Sequence, residues 1–129
     1  MQVYELNSLF DRLNRLYFDS QLKLIVRWSH RSPPKASRSI VLGTYNDKTK
    51  CITMSRRLNS TLVPLYVVEC VLFHEMLHAV FPREEHRMHT EKFNKFERMH
   101  PDFERARKWE KESIKLLFEK PQKALPFVS

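Results

Sequence analysis

Between two prolines the chain reads Pro64-LYVVECVLFHEMLHAVF-Pro82, with no helix breaker from residue 65 to 81. Proline suits a first helical turn, where its missing N–H costs nothing, and a later proline stops the helix. The spacing predicts one long helix over 65–81, apolar on most sides and therefore placed at the domain centre. Inside that apolar run stand His74, Glu75 and His78. Residues four apart share a helix face, so the two imidazoles point the same way. Buried there without partners they would each cost free energy. One metal ion relieves both, and zinc takes neutral imidazole nitrogen at about 2.0–2.1 Å. Glu75 is offset by one residue and falls beside the pair, where it can hold a water and accept its proton. The competing reading is a pair of core histidines with no metal. The apolar surroundings favour the metal.

Zinc needs a further protein ligand. The spacing HExxHxxGxxH is absent: Phe81 stands where glycine belongs, and Arg83, Glu84 and Glu85 supply no histidine. Glu97 lies near the distance of a more remote carboxylate ligand, without the usual helix signature around it. His86 and His89 are the local candidates. His89 is preferred, because it opens the helix carrying Phe93, whereas His86 lies in a charged stretch.

The rest of the chain reads as one α+β domain of 129 residues. Leu6, Leu9, Phe10, Leu13, Leu16 and Tyr17 recur at helical spacing and predict an amphipathic helix over 3–18. Alternation predicts strands at 22–29, 39–45 and 51–55, the last two as an antiparallel hairpin around Asn46-Asp47-Lys48. Thr90 is placed to cap a short helix reaching Met99, with Phe93 and Phe96 inward. Pro101 opens a last helix to about Glu119, with Trp109 and Phe118 among its core residues. His100 reads as the residue before that proline and as no ligand.

Composition narrows the function. No apolar run approaches the roughly 20 residues that cross a bilayer. The N-terminal segment lacks the features of a secretion signal. Cys51 and Cys70 are not in a CxxC pair, so no disulfide framework or cysteine zinc site is expected, and a reducing cytoplasmic, nuclear or nucleoid setting fits best. A monomer without membrane contact is expected. Gly43 is the sole glycine, which excludes glycine-rich phosphate loops. The net charge is +8, and residues 1–60 hold eleven Lys/Arg against four Asp/Glu. No acidic residue falls between Asp19 and Asp47, a span that holds Arg31, Lys35 and Arg38. These three are candidate nucleic-acid contacts, with solvated surface as the plainer alternative. Cys70 lies four residues before His74 and is expected as a small core residue, although its face is that of the metal. Tyr45 can donate one hydrogen bond to a developing oxyanion. Packing beside the sheet is the plainer role.

Several segments together resemble the SprT-like family of zinc metalloproteases, which includes the Spartan-type proteases acting on DNA–protein crosslinks. They are LNRLYF (13–18), WS (28–29), LGTY (42–45), ITMS (52–55), HEMLH (74–78) and HTEKF (89–93). The resemblance implies a zincin-like fold: a helix, a three-stranded mainly antiparallel sheet, the HExxH helix and C-terminal helices. It implies zinc held by His74, His78 and His89, Glu75 as general base, and a protein or peptide substrate. An edge strand, from 39–45 or 50–55, would align that substrate by main-chain pairing. The chain departs from the pattern in showing no C-terminal cysteine zinc ribbon and in placing Thr90, not glycine, after His89. Any DNA contact would then come from the basic 20–60 region. The alternative is a zinc-stabilised nucleic-acid-binding module with little or no protease activity.

Overall fold

The computed structural model describes residues 2–30, 41–81 and 89–118. Helix α1 spans Leu6–Tyr17 and buries Leu6, Phe10 and Leu13. It starts later than the periodicity alone suggests, because the amides of Val3 and Tyr4 donate to Asn59 Oδ1 at 2.8 and 3.0 Å. Glu5 caps it instead, accepting from the Asn7 amide. Buried Asn14 at its far end binds both backbone groups of Leu22, which holds residue 22 out of the sheet.

Strands β1 (Ile25–Trp28), β2 (Gly43–Asn46) and β3 (Cys51–Met54) form one sheet in the order β1-β3-β2. β2 and β3 are the expected antiparallel hairpin, with Thr44 opposite Thr53. β1 pairs with β3 in parallel, Val26 beside Ile52, so the sheet is mixed and not mainly antiparallel. The order follows from burial. β3 carries Cys51, Ile52 and Met54, all buried, and takes the centre, where both its edges are paired. Of the two segments that could have been the edge, 50–55 is thereby excluded and β2 is an edge strand.

The turns are made without glycine. Asp19, Ser20 and Lys50 adopt φ of 53°, 58° and 55°, in the left-handed region. Gly43 serves a different need. A Cβ at this position would lie 3.1 Å from Glu75 Cγ and 3.3 Å from both Glu75 Oε2 and Val71 Cγ1. The missing side chain lets β2 press directly on the following helix at Glu75. Gly43→Ala is expected to cost about 1–3 kcal/mol through overpacking. Urea denaturation measures this, and an unchanged midpoint would mean that the contact is slack.

Helix α2 (Leu65–Val80) follows Pro64 and is buried nearly all round, with Val67, Val68, Leu72, Phe73, Met76 and Leu77 in the core. It touches α1, the sheet and both later helices, which makes it the axle of the domain. Helix α3 (Glu91–Glu97) is capped by Thr90, whose Oγ1 accepts from the Phe93 amide at 3.2 Å. Phe93 is fully buried, but Phe96 is 41% exposed, its ring 5.2 Å from that of Phe81, so only one of the two expected aromatics faces inward. Helix α4 (Phe103–Ser113) begins after Pro101, because the Asp102 amide is committed to His100 Nδ1 at 3.1 Å. A 3-10 turn, Ile114–Phe118, follows. Trp109 is half-buried against the core. No described helix is long and apolar enough to cross a membrane.

Candidate metal centre

α2 carries His74 and His78 on one face, one turn apart, with ring centroids 4.9 Å apart. The segment before α3 brings His89 against them: its Nε2 lies 3.3 Å from His78 Nε2, and its ring centroid 4.8 Å from that of His74. One ligand atom from each of the three histidines lies within 4.8 Å of the other two. Phe93 fixes the group from below. Its ring centroid is 4.9 Å from His74 and 4.7 Å from both His78 and His89.

The donor set can be tested against zinc. Two nitrogens bound tetrahedrally to one ion at about 2.0–2.1 Å stand about 3.3 Å apart. The His78–His89 separation has that value. Three imidazoles also match the donor set of a zinc site that keeps its fourth position for water. The residues fit the ion.

Glu97 of α3 is close enough to matter, but its contact is with an imidazole. Its Oε2 lies 2.5 Å from His74 Nδ1. With Nδ1–H donating to that carboxylate, Nε2 keeps the lone pair. Burial pulls the His74 pKa down, yet the Glu97 hydrogen bond and charge outweigh it and the net shift is upward. Burial works to raise Glu97 in turn, and the His74 ring more than reverses it. The spacing drew attention to Glu97 as a ligand; its observed partner is His74.

Glu75 is 6% exposed and lies under Gly43 of β2. Burial pushes its pKa up to about 7, against the pull of His74. A cleft of about 320 Å³ opens beside His74 and Glu75, between the start of β2 and α4.

The other singled-out residues have separate roles. Cys70 lines this cleft, and its Sγ sits 3.5 Å from His100 Nδ1, away from the three histidines. Burial raises its thiol to about 12, so it is no nucleophile. Tyr45 OH bonds to Asp47 Oδ1 at 3.2 Å, within the hairpin turn. Arg31, Lys35, Arg38 and His86 lie outside the described residues.

Two features escaped sequence reading. His100 is only 4% exposed and stacks on Tyr17. Its Nε2 faces Glu69, a buried α2 carboxylate that also pairs with Arg12 of α1. Glu69, His100 and Asp102 cluster closely enough to suggest a second ion. The Arg12 charge beside Glu69 and the Asp102 amide donated to His100 Nδ1 make the group a clamp between helices instead. The second feature is Glu110, which lines the cleft from α4. Its signal was available: Phe103, Ala106 and Glu110 share one helical stripe.

An α+β domain with three convergent histidines on and beside its buried central helix belongs to a class built around a candidate metal centre. The chain belongs to the SprT-like family, whose model matches residues 6–108. A comparison with curated proteins returned no match.

Proposed function

We propose that the chain is a zinc-dependent, zincin-like peptidase, a single domain over 1–129 acting as a monomer on protein substrates. The observation that carries this reading is the convergence of His74, His78 and His89 beside a buried carboxylate, Glu75. Family membership supports it. The three histidines would hold the ion through neutral nitrogens. Bound zinc would supply Lewis acidity and lower the pKa of a coordinated water. Glu75 would take the proton from the attacking water and later deliver it to the leaving amine. Among the described residues β2 pairs with β3 alone, and its Gly43 lies against Glu75, so its other edge could pair with an extended substrate by main-chain hydrogen bonds.

DNA-associated proteins are the substrate class we favour within this reading, on the basic balance of residues 1–60. Weaker binding to DNA in Arg31→Ala, Lys35→Ala and Arg38→Ala, with a shallower salt dependence, is the expected sign of that contact.

The reading is tested first by metal content. Wild type is expected to carry one zinc per chain by mass spectrometry, and His89→Ala to lose most of it. Full zinc in the variant would move the third ligand elsewhere; no zinc in wild type after zinc is supplied would remove the peptidase reading. Glu97→Gln has a milder expected effect. The fold stays, but His74 loses its anchor, and zinc affinity falls about 10–100-fold. Chelator competition reads this, and unchanged affinity would show that Glu97 does not orient His74.

A further inference from the structure

The cleft beside Glu75 runs from His74 towards α4. Its sides are apolar, formed by Leu42, Val71, Phe103 and Ala106. Glu110 projects from the same α4 stripe and is half-buried. Among the described residues its carboxylate has no hydrogen bond and no ion pair. Burial raises its pKa, against the pull of Arg107 and His74. The other carboxylates at the cleft are committed: Glu97 to His74, and Glu75 to the proposed chemistry.

Among the described residues one Lys/Arg cation, Arg107, lines the cleft. Arg107 lies one turn earlier on α4, exposed, with its guanidinium 5.7 Å from the Phe103 ring centre. The two charges would favour opposite ligands. Their depth decides between them. An exposed guanidinium is hydrated and screened, while a half-buried carboxylate acts through a lower dielectric. The Arg107 charge pulls on Glu110 without closing an ion pair, so the deeper carboxylate stays available and sets the preference.

We propose that this cleft is a specificity pocket for a lysine or arginine side chain flanking the scissile bond, with Glu110 as the residue that selects it. The methylene stem would lie along the apolar walls, as such stems do on apolar surface. The cationic head would give Glu110 the donor it lacks. This inference rests on the peptidase reading for its place in a reaction, but not for its binding chemistry.

The experiment has two arms. In the first, fluorescent peptides differing only in one Lys or Glu are titrated onto Glu75→Gln protein loaded with zinc. The Lys peptide is expected to bind about tenfold more tightly, as roughly 1.4 kcal/mol of charge pairing would give. Adding Glu110→Gln should erase the difference, and Glu110→Lys should reverse it. Equal affinity of both peptides, or a preference unmoved by Glu110 variants, overturns the proposal. In the second arm, wild type and Glu110→Gln digest a denatured protein, and mass spectrometry maps the cut sites. Basic residues enriched at one flanking position in wild type, and lost in the variant, support it. Hydrolysis with no basic preference overturns it. Charge-selective binding without any hydrolysis would sustain the pocket and defeat the peptidase reading alone.

Discussion

Glu75→Gln will lower peptide hydrolysis by about 10²–10⁴-fold while leaving zinc content unchanged, the range expected when a general base is lost. The substitution is nearly isosteric. Glutamine fills the same space under Gly43, where an added methyl group would meet Glu75 Cγ at 3.1 Å. It keeps the bulk but cannot accept a proton. Full activity in the variant would end the assignment of Glu75 as base. Zinc loss in the variant would show instead that the carboxylate supports the ion.

The same change carries a second signature in metal-free protein. Burial holds Glu75 at about 7, above its ordinary 4.5. Between those values the folded chain binds the proton more readily than the unfolded chain. Protonation therefore favours folding at low pH, and that contribution fades as pH rises from 4.5 towards 7. Glutamine needs no proton, so metal-free Glu75→Gln should be the more stable form at neutral pH. The wild-type residue would be kept for chemistry at a cost in stability.

Phe93→Ala has the largest expected effect on folding. The ring is fully buried and touches all three histidines at 4.7–4.9 Å between centroids. Removing a buried phenylalanine ring costs about 3–5 kcal/mol, a large part of the stability of a domain this size. Zinc affinity should fall with it, because His89 would lose the wall that holds it against α2. Phe93→Leu should recover much of the stability and less of the affinity, since it restores volume without the flat face. A loss below about 1 kcal/mol for Phe93→Ala, by chemical denaturation, would show that the site collapses around the gap.

The parts legible in the sequence are those set by local rules. Pro64 and Pro82 bracketed α2, and the four-residue spacing put His74 and His78 together. Thr90 announced α3 through its capping hydroxyl. The hairpin of β2 and β3 followed from alternation and a polar turn. What stayed hidden depends on partners far along the chain. The central place of β3, with β1 parallel on one side of it, follows from which strand is most buried, and period-two alternation carries no such ranking and no strand direction. Glu97 has a spacing that suits several roles, and only the approach of α3 to α2 sets its oxygen on His74. His100 looked like a polar residue before a proline, yet Tyr17, Phe73 and Glu69 enclose it. Two helix starts shifted where a side chain took a backbone group, Asn59 before α1 and His100 before α4, and α4 ends at Ser113, short of the expected Glu119.

The glycine-free turns give this chain room to change. Lys50 holds a left-handed backbone at φ 55°, a conformation that costs a residue with a Cβ roughly 1–2 kcal/mol relative to glycine. Asp19 and Ser20 hold similar angles, with Asp tolerating them better. These three positions are a reserve of unclaimed stability, and none of them belongs to the histidine cluster or the cleft. A lineage drifting towards new substrates could draw on that reserve, tightening its turns while it loosens its cleft.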